Sequence, residues 1–199
     1  MGLPPDKLVA LLVATSFAAG LNVYATVATL GLLAHTRWIE LPAPLHLLSN
    51  WGVIAAAITL FAIEIFADKI PVFDLVWNAL HTFIRVPVAM LLAWQATAGL
   101  SPGEQLAVTL AGGTIALIAH GGKTAARAAV TPSPEPVSNI TLSLGEDALA
   151  VLLTWLATWK PYVAAAIAAV LLVILVLLAR WILRALQSSF RSLRQYCGL

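Results

Sequence analysis

Apolar residues run in long blocks along this chain, with little of the alternation that marks a strand. Six blocks approach the roughly 20 residues that cross a hydrocarbon core as a helix: residues 8–34, 51–67, 73–96, 104–119, 140–159 and 161–179. The intervening stretches carry breakers. Pro42 and Pro44 follow the first block, Pro71 the second, Pro102-Gly103 the third, Pro132, Pro134 and Pro136 the fourth, and Pro161 the fifth. Each proline lacks a donor and restricts the residue before it, so each predicts a helix boundary. Trp38, Trp51, Trp94, Trp155, Trp159 and Trp181 lie near block ends, where interfacial aromatics belong. The pattern predicts an all-α, polytopic membrane helix bundle of about six spans, and the lack of alternation speaks against a barrel.

Composition sharpens that reading. Of 199 residues, 61% are apolar and 10% charged, against about 45–50% and about 25% in an ordinary soluble domain. Twenty charges cannot cover a soluble globule of this length. A formal charge of +2 gives no reason to expect nucleic acid as a partner. The apolar stretch after Lys7 runs well beyond a signal-peptide core, so it reads as a retained first span. With both termini inside, Lys7, Lys69, Lys123, Arg127, Arg180, Arg184, Arg191 and Arg194 face the cytoplasm and only Arg37 and Lys160 face out. That eight-to-two count satisfies the positive-inside rule and predicts six spans with both termini cytoplasmic.

The chain reads as one transmembrane domain over residues 1–199, with a basic tail at 187–199. Its halves, 1–98 and 99–186, look alike at low resolution. Pro42 and Pro44 recur as Pro134 and Pro136, Pro71 as Pro161, Glu64/Asp68 as Glu146/Asp147, and Arg85 as Arg180. Three spans per half suggest a 3+3 inverted repeat with broken helices, a plan many transporters use. Whether the third and fifth blocks cross fully or re-enter stays open.

Ionisable groups inside spans are expensive and normally face a partner or a watery cavity. Arg85 lies about 18 Å into its block, near the midplane. Glu64 and Asp68 are one helical turn apart, so they repel unless a cation neutralises them or one holds a proton. Asn22, His81, Glu146 and Asp147 fall at comparable depths. These seven residues form the candidate substrate- or ion-binding group, with Arg85 and Lys69 as counter-charges. A structural ion-pair network explains the same residues. Pro87 predicts a kink or break after Arg85. The Ser16, Ala19-Gly20, Asn22 interruption reads as a second break or as a close-packing face, packing being favoured.

His120-Gly121-Gly122-Lys123-Thr124 is not a phosphate loop, because Leu117 stands where glycine is required. The glycine pair predicts the end or loosening of the fourth helix, with Lys123 and Arg127 meeting lipid phosphates. No hydrolase, protease or paired-cysteine motif is present, and His35, His46, His81 and His120 lack metal-ligand spacing, so neither enzyme activity nor a cofactor is expected.

Several pieces together resemble a widespread bacterial family of small integral membrane proteins known only as a domain of unknown function. They are Gly20-Leu21-Asn22; Glu64 with Ala67-Asp68-Lys69-Ile70-Pro71 and Asp74; Trp77 with His81-Thr82 and Ile84-Arg85; Ser133-Pro134-Glu135-Pro136 with Ser138-Asn139; and Glu146-Asp147. The resemblance implies a polytopic inner-membrane protein and transfers no catalytic residue. The expected function is a small transporter or channel with a polar cavity at the midplane or cytoplasmic side. It would be proton- or ion-coupled and take a small polar or anionic solute or a lipid headgroup. The alternative is a non-catalytic membrane partner or assembly factor whose buried charges are structural. Expected partners are the bilayer, the solute and a second copy of the chain.

Overall fold

The structure, a computed structural model, describes residues 4–67, 71–130 and 136–196. It has seven α-helices: α1 (Pro5–Leu21), α2 (Val23–His35), α3 (Trp51–Ala67), α4 (Pro71–Ala96), α5 (Pro102–Val130), α6 (Pro136–Trp159) and α7 (Pro161–Tyr196). A 3-10 helix, Ala43–Ser49, precedes α3, and no strand occurs among the described residues. Five of the seven helices begin on a proline. That position suits it, since the first N–H of a helix has no internal partner and the fixed φ is already helical. Two expected breakers do not end their helices: Pro87 sits inside α4, and Gly121-Gly122 lie inside α5.

Three helical stretches are long and apolar enough to cross a membrane: Pro102–Ala126, Ile140–Trp159 and Pro161–Trp181. The 3-10 helix and α3, bent by 63°, make a fourth if taken as one span. The surface is apolar, as lipid requires, with Phe66, Phe83, Leu152 and Val170 among the large exposed side chains. In the Pro161–Trp181 stretch only 11% of the apolar window is buried.

The largest departure from the sequence reading is at residues 8–34, expected as a single span. Asn22 has φ −149° and ψ 104°, an extended backbone between two helices. Packing against α6 shows that the chain folds back there. Asn22 bonds Asp147, while Ala14 packs with Ala157, so α1 runs antiparallel to α6. Thr26 in α2 meets Thr154, and Leu30 and Thr158 line one cavity, so α2 runs parallel to α6. Helices α1 and α2 are therefore a hairpin with Asn22 at its tip, about 25 Å from Pro5 at 1.5 Å per residue.

This hairpin changes the topology. α1 enters and α2 leaves at the same end of the bundle; α3 to α7 then pass once each. Near that first end Tyr162, opening α7, donates a hydrogen bond to Asp6 of α1. Along α7, Leu175 packs on Gly122 of α5, so α7 runs toward the opposite end. The two ends of the chain thus lie at opposite ends of the bundle, contrary to the expectation that both share one side. Nor do the proposed repeat partners have the relation an inversion gives. Gly112 faces Ser16 and Gly20 faces Ala116, so α1 and α5 run parallel.

α1 is the centre of the bundle, with eleven of its 17 residues buried and α4, α5, α6 and α7 packed around it. Small residues make this possible. A Cβ at Gly20 would lie 2.4 Å from the Ala116 carbonyl oxygen, closer than any packing tolerates. The Gly20 region is accordingly both a close-packing face and the approach to a break. Trp38, Trp51, Trp94, Trp159 and Tyr162 are exposed at the end where the hairpin enters, a girdle of the kind that marks a membrane interface.

Candidate functional site: a charged cluster at the hairpin tip

Breaking a helix at Asn22 leaves carbonyls at the end of α1 and N–H groups at the start of α2, both inside the bundle. Each is met by a group of matching sign. The Asn22 side-chain oxygen accepts from the Ala25 N–H at 2.9 Å, capping α2, and its amide donates to Asp147 Oδ1 at 2.8 Å. The Leu21 carbonyl accepts from Lys123 Nζ at 3.1 Å. A carboxylate thus sits by a helix N-terminus and an ammonium by a helix C-terminus, the arrangement the helix dipoles favour.

Around this tip four further helices contribute. Glu64 of α3 and Arg85 of α4 are both 0% exposed, and Arg85 Nη2 donates to Glu64 Oε1. Lys123 of α5 approaches the same oxygen at 3.3 Å and reaches Glu146 Oε2 of α6 at 3.5 Å. Glu64 is therefore shared by two cations. Its other oxygen, Oε2, is buried with no hydrogen-bond partner among the described residues.

Two histidines extend the network, and their partners fix their protons. Arg85 Nη1 can only donate, so His120 Nδ1, at 2.7 Å, must accept. His120 then carries its proton on Nε2 and donates to Thr82 Oγ1 at 2.8 Å. His81 carries a proton on the other nitrogen: its Nδ1–H donates to the Trp77 carbonyl at 2.7 Å, and Nε2 shares a hydrogen bond with the Tyr24 hydroxyl at 2.9 Å. Trp77 and Tyr24 wall His81, with ring centroids 4.4 and 5.5 Å away.

Of the residues the sequence singled out, the structure brings Asn22, Glu64, His81, Arg85, Glu146 and Asp147 into one region. Asp68 and Lys69 lie outside the described residues. Lys123 is a correction: expected at lipid phosphates, it is 1% exposed, because Glu64, Glu146 and the Leu21 carbonyl hold it inside. The side chain of Arg127 lies outside the described residues. His120, Tyr24 and Thr82 were not selected from the sequence. The available signal was the three-residue spacing of His120 and Lys123, which puts both on the face of α5 that carries Ala116 and Ala119.

Among the described residues Glu64, Arg85 and Lys123 are buried. The cavity at the other end of the bundle reaches Thr15 on α1 but is not lined by Arg85. Residues 9–181 match the family profile described as a domain of unknown function, DUF4126. The chain belongs to the DUF4126 family. No curated protein and no solved structure matches it. For this DUF4126 chain the chemistry must therefore be argued from the cluster itself, which holds five charged side chains, two imidazoles and a broken helix within an apolar bundle.

Proposed function

We propose that this protein is a small membrane transporter or channel in which the cluster at the Asn22 tip carries a proton or small ion, or holds a small polar solute, between the two faces of the bilayer. The observation that supports this reading is Glu64. It is fully buried and shared by Arg85 and Lys123, and it keeps one oxygen without a hydrogen bond beside two further carboxylates. A buried carboxylate is costly in a low-dielectric interior unless cations or a proton neutralise it, and Glu64 draws two cations to one oxygen. Broken helices whose ends face such a site are a recurrent transporter device.

The reading includes a multi-pass placement in a bacterial inner membrane. Among the described residues, the hairpin end of the bundle carries Lys7, Arg37 and Lys160, and the other end Arg127, Arg180, Arg184, Arg191 and Arg194. Five against three supports a cytoplasmic C-terminal end of α7, with Pro5 on the opposite side. Partners in this reading are the bilayer and the solute, with self-association as a further possibility for the broad apolar face of α7.

Reconstituted vesicles with a trapped pH dye test the reading. Proton flux down an imposed gradient, with Na+ or K+ present in turn, should exceed that of empty vesicles. Glu64→Gln, of the same shape, should abolish it, with thermal unfolding followed in parallel to confirm folding. Wild-type vesicles no leakier than empty ones would overturn the proposal.

One observation favours the scaffold reading: the cavity stops short of Arg85, and Glu64, Arg85 and Lys123 are buried among the described residues. On that reading Glu64→Gln lowers stability in proportion to its lost ion pairs, and no flux exists to lose.

A further inference from the structure

We propose that the open cavity at the hairpin-entry end of the bundle is a second binding site, specific for an amphipathic ammonium compound: an apolar body bearing a protonated primary or secondary amine. The cavity has a volume of about 770 Å³, within the range that holds drug-sized ligands. Its walls are aliphatic, including Leu8, Leu12, Leu45, Leu92 and Leu100 from α1, the 3-10 helix, α4 and the turn after it. Such walls suit a hydrocarbon body and exclude a bare hydrated ion.

The polar side chains in the lining specify the other part of the ligand. Three are threonines, and each spends its proton on its own helix. Thr15 donates to the Leu11 carbonyl at 2.9 Å, Thr97 to Ala93 at 2.7 Å and Thr158 to Trp155 at 2.7 Å. Each hydroxyl therefore offers only acceptor lone pairs to the cavity. The fourth is Glu40, the one charged side chain lining the cavity among the described residues. Four oxygen acceptors against one side-chain donor, the Trp38 indole N–H, favour a ligand that donates and carries positive charge.

Local backbone geometry holds Glu40 and an aromatic over the mouth. Arg37 adopts φ 60°, the left-handed conformation. The Arg37 N–H bonds the Ala34 carbonyl at 3.1 Å and the Trp38 N–H bonds that of Leu33 at 2.9 Å, the paired bonds of a Schellman turn ending α2. The turn sends Trp38, Ile39 and Glu40 across the cavity, all three lining it. Trp38 adds an indole face, which attracts cations. Lys7, Arg37 and Lys160 lie nearby in sequence, but none lines the cavity.

This site stands apart from the charged cluster, and its test needs no flux. Isothermal titration of the full chain in detergent, with empty micelles subtracted, should show saturable binding of 4-phenylbutylammonium. The isosteric 4-phenylbutyrate and the neutral 4-phenylbutanol should bind at least about tenfold more weakly. Glu40→Gln, at an exposed position, should weaken the ammonium about fivefold, as expected of a rim ion pair, and leave the alcohol unchanged. Leu12→Trp, which fills the cavity, should remove binding of all three; if it does not fold, the Glu40→Gln comparison decides. Equal binding of carboxylate and ammonium, or unchanged ammonium binding by Glu40→Gln, overturns the proposal.

Discussion

Lys123 Nζ lies 3.3 Å from Glu64 Oε1, the same oxygen that takes the Arg85 guanidinium. One buried carboxylate oxygen thus joins α3, α4 and α5, and through Lys123 also the Leu21 carbonyl at the hairpin tip. Removing either cation leaves Glu64 with the other, whereas removing Glu64 takes an ion pair from both cations at once. Glu64→Ala should therefore be the most destabilising single change in this trio, by about 3–5 kcal/mol. Arg85→Ala should cost less, and Arg85→Ala with Glu64→Ala less than the sum of the two singles. Unfolding in detergent across a double-mutant cycle checks this; strict additivity would show that the pair is not coupled.

The hairpin predicts that the two ends of the chain label from opposite sides. A cysteine introduced at Pro4, with Cys197 replaced by serine, should react with an impermeant maleimide in intact cells. Cys197 in the otherwise native chain should react only after permeabilisation. Labelling of both from one side would contradict the folding back at Asn22.

Asn22 both caps α2 and donates to Asp147. Asn22→Ala should lower stability by about 1–2 kcal/mol through the lost cap and the lost charged hydrogen bond. Asn22→Asp should be worse, because it opposes two carboxylates at 2.8 Å. Adding Asp147→Asn to Asn22→Asp restores one donor and one acceptor and should recover most of the loss. Absence of that rescue in melting experiments would break the assigned pairing.

Two helical glycines should respond in opposite ways to alanine. At Gly20 a Cβ would meet the Ala116 carbonyl oxygen at 2.4 Å, so Gly20→Ala must push α1 and α5 apart, costing about 1–3 kcal/mol. At Gly121 nothing lies within 4 Å, and the alanine gains up to about 1 kcal/mol in helix propensity. Paired melting curves of the two variants give the comparison.

Arg37 holds the left-handed position that ends α2, at φ 60°. Glycine reaches that region without strain, so Arg37→Gly should raise stability by about 1 kcal/mol if the turn is preserved. A loss instead would mean that the arginine side chain contributes more than its backbone strain takes away.

What the sequence determined by itself was the solvent and the element type. Twenty charges among 199 residues admit only an apolar exterior, and uninterrupted apolar blocks admit only helices in lipid, since every backbone group must bond within its own segment. Prolines at 5, 71, 102, 136 and 161 then mark where helices begin, because a first-turn residue loses nothing by lacking an N–H. The same reasoning selected Glu64, Arg85, Glu146 and Asp147, as charges within an apolar block must find one another. Tertiary structure decided the rest. Whether Asn22 packs within one long helix or turns the chain back depends on Asp147 and Lys123, more than a hundred residues away, waiting to satisfy the exposed helix ends. Lys123 reads as a juxtamembrane cation by position along the chain; only the approach of α3 and α6 supplies the carboxylates that hold it inside. Pro87 and Gly121-Gly122 read as helix breaks, yet α4 and α5 continue through them. Local propensity is worth only about 1–3 kcal/mol, and in a bundle that seals its charges against lipid, packing overrides it.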